Sequence, residues 1–133
     1  HRWRKVLFHY PQLKLNFAHF GRQVTHKIGK HETSWYDDIV ELCCEFDNVF
    51  TDISYAGCKR DFYDTILNTF AELPAPKRDV LQHKIMFGSD FMINLLDIES
   101  YYDYYKKFND SGLSSELKHK ICSENPARFL FEK

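Results

Sequence analysis

The sequence is poor in the residues that break or loosen a chain. Of 133 residues only 5 are Gly and 4 are Pro, which excludes collagen-like and linker character. The four cysteines, Cys43, Cys44, Cys58 and Cys122, contain no C-x-x-C pair, and two are adjacent. That is a poor disulfide framework, so all four are read as reduced packing residues. No run approaches the ~18 apolar residues of a membrane span, and no apolar signal-peptide segment follows His1-Arg2-Trp3-Arg4-Lys5. Neither sign of charge dominates: 18 Lys and Arg face 19 Asp and Glu, a formal net charge of −1. Without a basic excess or an acidic tail, nucleic acid is not an expected partner, and neither is a membrane. The expected location is the cytoplasm. Nucleotide-binding glycine motifs are missing, as are the G-x-S-x-G elbow, H-x-H and H-E-x-x-H.

What the sequence does have is ring surface. Aromatic residues make up 17% (12 Phe, 8 Tyr, 2 Trp) and hydrophobic residues 44%, enough for a packed core. Three short apolar runs stand out: Leu13 to Ala18 before His19, Asn48 to Ile53 before Ser54, and Lys84 to Phe87 before Gly88-Ser89-Asp90. Each has the length of a buried strand with turn or polar residues after it. Between them lie helical patterns, Ser34 to Phe46 behind a Thr33/Ser34 cap and Asp61 to Leu73, stopped by Pro74 and Pro76. Ile98 to Phe108 and a segment from Ser114 or Ser115 also read as helices. A last helix is expected to start at Asn125-Pro126, with Asn125 as its N-cap. The first ten residues read as the end of a helix. Strands and helices alternating in this way point to successive βα units in a parallel sheet.

In such architectures, chemistry gathers at the carboxyl ends of the strands. The residues there are His19, Asp52, Ser54 and Asp90. An imidazole and carboxylates so placed suit proton transfer or a zinc-like divalent ion. Each also has a plainer reading: His19 as a hydrogen-bonded structural residue, Asp90 as a cap for the next turn, and Asp52 as an acceptor for loop N–H groups. His26 and His31 lie in an expected polar loop from which either could reach a ligand. The tyrosines Tyr101, Tyr102, Tyr104 and Tyr105 read as helix packing.

These strings together resemble a known family. Tyr10-Pro11-Gln12-Leu13-Lys14 and then Ala18-His19-Phe20-Gly21 resemble the sixth strand of amidohydrolase-related, amidohydrolase 2 type, metal-dependent hydrolases. Asn48-Val49-Phe50-Thr51-Asp52-Ile53-Ser54 resembles the seventh. Lys84 to Phe91, with Phe87-Gly88-Ser89-Asp90, resembles the eighth, and Glu124 to Phe131 resembles the closing helix. The resemblance implies a (β/α)8 TIM barrel, a divalent metal, usually zinc, and a small-molecule substrate. It implies that Asp90 is a metal ligand able to accept a proton from water. It implies that His19 polarises water or substrate, or ligates a second ion. Asp52, Ser54 and His26 are the substrate-pocket candidates.

Two departures matter. After Gly21 comes Arg22 rather than a second Gly, and the first-strand H-x-H and fifth-strand His that supply most metal ligands are missing. A whole barrel needs about 250 residues. The expectation is therefore that residues 1–133 are the last three βα units, strands six to eight, of one longer domain. Alone, the chain would bind metal weakly or not at all and be inactive. The parent would hydrolyse a C–N or C–O bond or decarboxylate a small carboxylate without oxidation, as do decarboxylases akin to aminocarboxymuconate-semialdehyde decarboxylase. The alternatives are a small non-catalytic α/β interaction domain and a non-catalytic barrel relative serving as a scaffold. Open sheet edges would favour homo-oligomers or pairing with another chain.

Overall fold

The computed structural model describes residues 2–23, 25–28 and 31–132. Helix α1 (Arg2–His9) leads to strand β1 (Leu15–Phe17), a 3-10 turn (Ala18–Gln23), and a hairpin of β2 (Thr25–Ile28) and β3 (His31–Ser34). Helix α2 (Trp35–Glu45), strand β4 (Val49–Asp52), a short turn (Ala56–Cys58) and helices α3 (Arg60–Glu72) and α4 (Ala75–Gln82) follow. Strand β5 (Ile85–Met86) is succeeded by α5 (Phe91–Asn94), α6 (Tyr101–Asn109), α7 (Ser115–His119), a π turn (Lys120–Glu124) and α8 (Asn125–Phe131).

The three expected strands form one parallel sheet in the order β1-β4-β5. Phe17 lies opposite Thr51, and Thr51 opposite Ile85. Parallel strands need covering on both faces, and β4 has it: Val49, Phe50 and Thr51 are all buried. Val49, Ile53 and Ile85 join the main core with Ile39, Val40 and Cys43 of α2 and Phe62, Ile66 and Phe70 of α3. On the other face Phe50 meets Phe129 of α8 edge-on, at 5.2 Å between ring centroids. Each of these large side chains contributes about 1.5–3 kcal/mol by leaving water.

Local rules explain the helix that carries most of this core. Ser34 caps α2: its hydroxyl accepts from the Asp37 N–H at 3.1 Å, and the Asp37 carboxylate accepts from the Ser34 N–H at 3.3 Å. This reciprocal capping satisfies two otherwise orphaned donors. Behind the cap, Tyr36, Ile39, Val40, Leu42 and Cys43 turn to the core.

Several features depart from the sequence reading. The expected polar loop around His26 and His31 contains the β2–β3 hairpin, Thr25 pairing with Ser34 and His26 with Thr33. Pro74 and Pro76 do end α3, but they also begin α4, where a proline in the first turn forfeits no hydrogen bond. Only Leu81 of α4 is buried, so no apolar stripe marked it. Of the four clustered tyrosines only Tyr104 is buried; Tyr101, Tyr102 and Tyr105 remain exposed.

Asn125 is not an N-cap. Its backbone is already helical (φ −66°, ψ −44°), because the helical run starts at Ser114, whose hydroxyl accepts from Leu117 N–H. The π turn just ahead of Pro126 makes room for a residue that cannot donate and whose ring crowds the preceding turn. Asn125 itself is 0% exposed. Its amide donates to the carbonyls of Gln82 at 2.9 Å and Ile85 at 2.7 Å. The Ile121 carbonyl in the π turn accepts from Phe87 N–H at 2.9 Å. Since Lys84 and Met86 use their carbonyls towards β4, these contacts lie along the other edge of β5. That edge, expected to be open, is therefore occupied at Ile85 and Phe87 by the C-terminal helical run.

Candidate functional site

The carboxyl ends of β1, β4 and β5 bring His19, Asp52, Ser54 and Asp90 together. His26 is placed only by its backbone, in β2 opposite Thr33; its side chain lies outside the described structure.

Each strand is followed by a residue in left-handed conformation: His19 (φ 62°), Tyr55 (φ 53°) and Asp90 (φ 48°). Left-handed non-glycine residues cost roughly 1–2 kcal/mol each and gather where function holds them in place. After β1 the left-handed stretch is three residues long, continuing through Phe20 (φ 47°) and Gly21 (φ 67°). Phe20 offsets the strain: it is 0% exposed, stacked on Tyr36 at 5.0 Å and edge-on to Phe62 at 5.7 Å. Gly21 is required twice over, by its φ and because a Cβ there would stand 2.5 Å from Cβ of Trp35. This reversal brings the His19 ring back over the sheet end.

Asp52 braces the cluster. Its Oδ2 accepts from the Asn16 amide at 2.6 Å, and its Oδ1 accepts from the backbone N–H of His19 and of Ser54, each at 3.1 Å. The Ser54 hydroxyl also contacts Oδ1. Asp52 thus does what its plainer reading required, binding loop N–H groups.

The same contacts decide the His19 tautomer. A carboxylate only accepts, so the single Ser54 hydroxyl proton goes to Asp52. The Ser54 Oγ and the Ser54 carbonyl then both accept from His19 Nδ1, at 2.9 and 3.1 Å. With the proton on Nδ1, the lone pair is on Nε2, which lies 3.7 Å from Asp90 Oδ2. That separation is beyond hydrogen-bond range. Two acceptors face one another across a gap suited to a shared proton or a cation.

Asp90 precedes α5, yet its side chain makes no capping hydrogen bond, so the turn-capping reading does not account for it. His19 and Asp90 side chains are 26% and 28% exposed, open to a ligand. Ser54, at 7% exposed with its proton engaged, is a holder of His19 rather than a nucleophile.

Sequence reasoning missed the supports of this site. Asn16 was detectable only as a polar residue inside an apolar run. Tyr55 gave no signal. Tyr104 reads in the sequence only as helix packing beside its neighbours, but its hydroxyl contacts the carbonyls of Ile53 and Gly88, each at 2.7 Å, tying the ends of β4 and β5 together one rung beyond the last backbone bond, Ile53 N–H to Met86 O. Burial above all, and then neighbouring groups including Asp52 and Asp90, raise the Tyr104 pKa well above its usual value. Glycine at 57 leaves room for this hydroxyl, which a Cβ would approach to 2.5 Å.

A metal ion fits this pair as part of a donor set. Imidazole nitrogen and carboxylate oxygen are zinc-type donors, each about 2.0–2.2 Å from the ion, and 3.7 Å between them is within that reach. Among the described residues no group of three or more His, Cys, Asp or Glu side chains is placed to hold a metal. No helix among them is long and apolar enough to cross a membrane.

Comparison with known proteins agrees with the motifs. The family model described as amidohydrolase matches residues 4–131, a family with a TIM-barrel fold that generally uses divalent metals. Neither a search of curated proteins nor one of solved structures gave a match. The chain, matched by that model over nearly its whole length, belongs to the amidohydrolase family.

Proposed function

We propose that His19 and Asp90 are part of the metal centre of a hydrolase or nonoxidative decarboxylase acting on a small-molecule substrate, and that β1, β4 and β5 are strands six to eight of its barrel. The observation that carries this is the 3.7 Å between His19 Nε2 and Asp90 Oδ2, with Nδ1 of the same ring held by Ser54. When bound, a divalent ion such as zinc supplies Lewis-acid activation of water near neutral pH. Asp90 is the ligand and the acceptor of a proton from that water at its carboxylate oxygen. His19 ligates or polarises through Nε2, while its Nδ1–H stays donated to Ser54. Asp52 and Asn16 keep both in register, while Ser54 and His26 border the substrate. The remaining metal donors come from outside this pair. The four free thiols suit the reducing cytoplasm.

The test is cobalt(II) titration of the 15N-labelled chain, followed by the imidazole signals of its histidines and the backbone signals around residue 90. The expected result is that His19 and the Ser89–Phe91 amides respond first, weaker than micromolar, and that His19→Ala and Asp90→Ala each abolish this. A response spread evenly over the other histidines, or none at His19, overturns the assignment. Micromolar binding by this chain would refute the incomplete ligand set.

A further inference from the structure

Tyr55 holds a strained backbone at the site, and its strain is connected to His19. Its φ of 53° and ψ of −59° belong to the rare left-handed γ-turn. The closing bond is present: Ala56 N–H donates to the Ser54 carbonyl at 2.5 Å. The same carbonyl accepts from His19 Nδ1 at 3.1 Å. One turn therefore fixes the direction of an acceptor that fixes a tautomer. The Tyr55 ring also stands edge-on to the His19 imidazole, 5.9 Å between centroids, so the residue bears on His19 directly through its ring and indirectly through the Ser54 carbonyl.

A glycine would adopt this conformation without penalty. A bulky residue kept at such φ and ψ carries strain that the contacts around it must hold in place, and such strain gathers at functional sites.

We infer that Tyr55 is a positioning residue, whose strained turn directs the Ser54 carbonyl onto Nδ1 of His19, with the ring as a wall that holds the imidazole facing Asp90. Relaxing the turn swings the carbonyl away. Nδ1 then keeps only the Ser54 hydroxyl, which can turn its proton from Asp52 to Nδ1 and so donate as well as accept, and the neutral ring is free to populate both tautomers. The proposal rests on the assignment of His19 to the site, but its primary readout needs no metal.

The experiment compares Tyr55→Gly, Tyr55→Ala and Tyr55→Phe by urea unfolding and by the imidazole 15N signals of His19 at one fixed pH at which the ring is neutral. The Gly variant should fold more favourably than the Ala variant, by a factor of about 5–30, since Ala must carry the left-handed penalty or give up the turn. Gly keeps the turn, so His19 should stay a single Nδ1-protonated tautomer there; in the Ala variant, which escapes the penalty only by relaxing the turn, it should become a mixture, and Phe should keep it single. A purely structural Tyr55 would lower stability in the Gly and Ala variants and leave the tautomer unchanged; that result overturns the proposal. So does a Gly variant less stable than the Ala variant, which would mean the turn is unstrained. If the tautomer follows Tyr55 while cobalt ignores His19, positioning stands and the metal assignment fails. If cobalt finds His19 and the tautomer ignores Tyr55, the reverse holds.

Discussion

Replacing Asn125 distinguishes two roles that asparagine can play at the start of a helical segment. As an N-cap, Asn is interchangeable with Asp and Ser, and Ala costs about 1 kcal/mol. As the buried tie found here, it contributes two N–H donors to the carbonyls of Gln82 and Ile85. Asn125→Ala leaves the Ile85 carbonyl, in a fully buried contact, without that donor, at about 1–3 kcal/mol. The partly buried contact to Gln82 adds about 0.5–1.5 kcal/mol, for a total of about 1.5–4.5 kcal/mol. At about 2.1 cal/mol/K of unfolding entropy per residue, 133 residues give about 0.28 kcal/mol/K, so melting should fall by about 5–16 °C. Asn125→Asp should be worse than Ala, because it turns a carboxylate towards two carbonyl oxygens and buries a charge. Part of that loss should return at acid pH, where a protonated Asp can donate to one carbonyl. Calorimetry and urea unfolding of the three proteins, at neutral pH and again in acid, measure this directly. An Ala variant within about 0.5 kcal/mol of wild type would refute the buried-tie reasoning, and an Asp variant as stable as wild type would refute it and restore the capping role.

Tyr104→Phe removes the hydroxyl shared by the Ile53 and Gly88 carbonyls; because Ile53 O keeps the Gly57 N–H at 2.8 Å, the loss should be about 1–2 kcal/mol, with faster amide exchange around Ser89 and Asp90. Gly21→Ala should lower stability by more than the usual left-handed penalty of about 1–2 kcal/mol, since the new Cβ meets Trp35 at 2.5 Å, and the His19 signals should broaden with it. Alkali tests the buried phenols. Burial pushes Tyr36 up to about 12 against an unfolded value near 10. Its contribution is therefore complete below about pH 10 and is lost as pH rises through about 12, on the order of 2–3 kcal/mol. Tyr63 and Tyr104 are raised as well, by burial first. Ultraviolet titration should show these three of the 8 tyrosines ionising only as the protein unfolds; ordinary titration of all eight would contradict their burial.

The parts of the fold legible in the sequence were those written in local pattern. The strands at Leu15, Val49 and Ile85 announced themselves as short apolar runs, and α2 by its cap and spacing, because buried strands and amphipathic helices impose a period. The β2–β3 hairpin lacked that period: Thr25, His26 and Lys27 are polar, and its pairing is supplied by the backbone. Helix α4 hid behind Pro74 and Pro76, since the same residue type stops one helix and starts the next.

By itself the sequence determined the family, the parallel βα order, and which side chains stand at the strand ends: His19, Asp52, Ser54 and Asp90. These follow from residue type and chain order. Only the tertiary structure decided what each does there. It made Asp52 a brace, put the proton on Nδ1 of His19, withdrew Ser54 from solvent and set Nε2 3.7 Å from Asp90. It also turned Asn125 from a cap into a tie between helix and strand. Such roles depend on contacts between residues some 33–40 positions apart, and on left-handed backbone that packing elsewhere has to stabilise, neither of which is encoded in any local run of sequence.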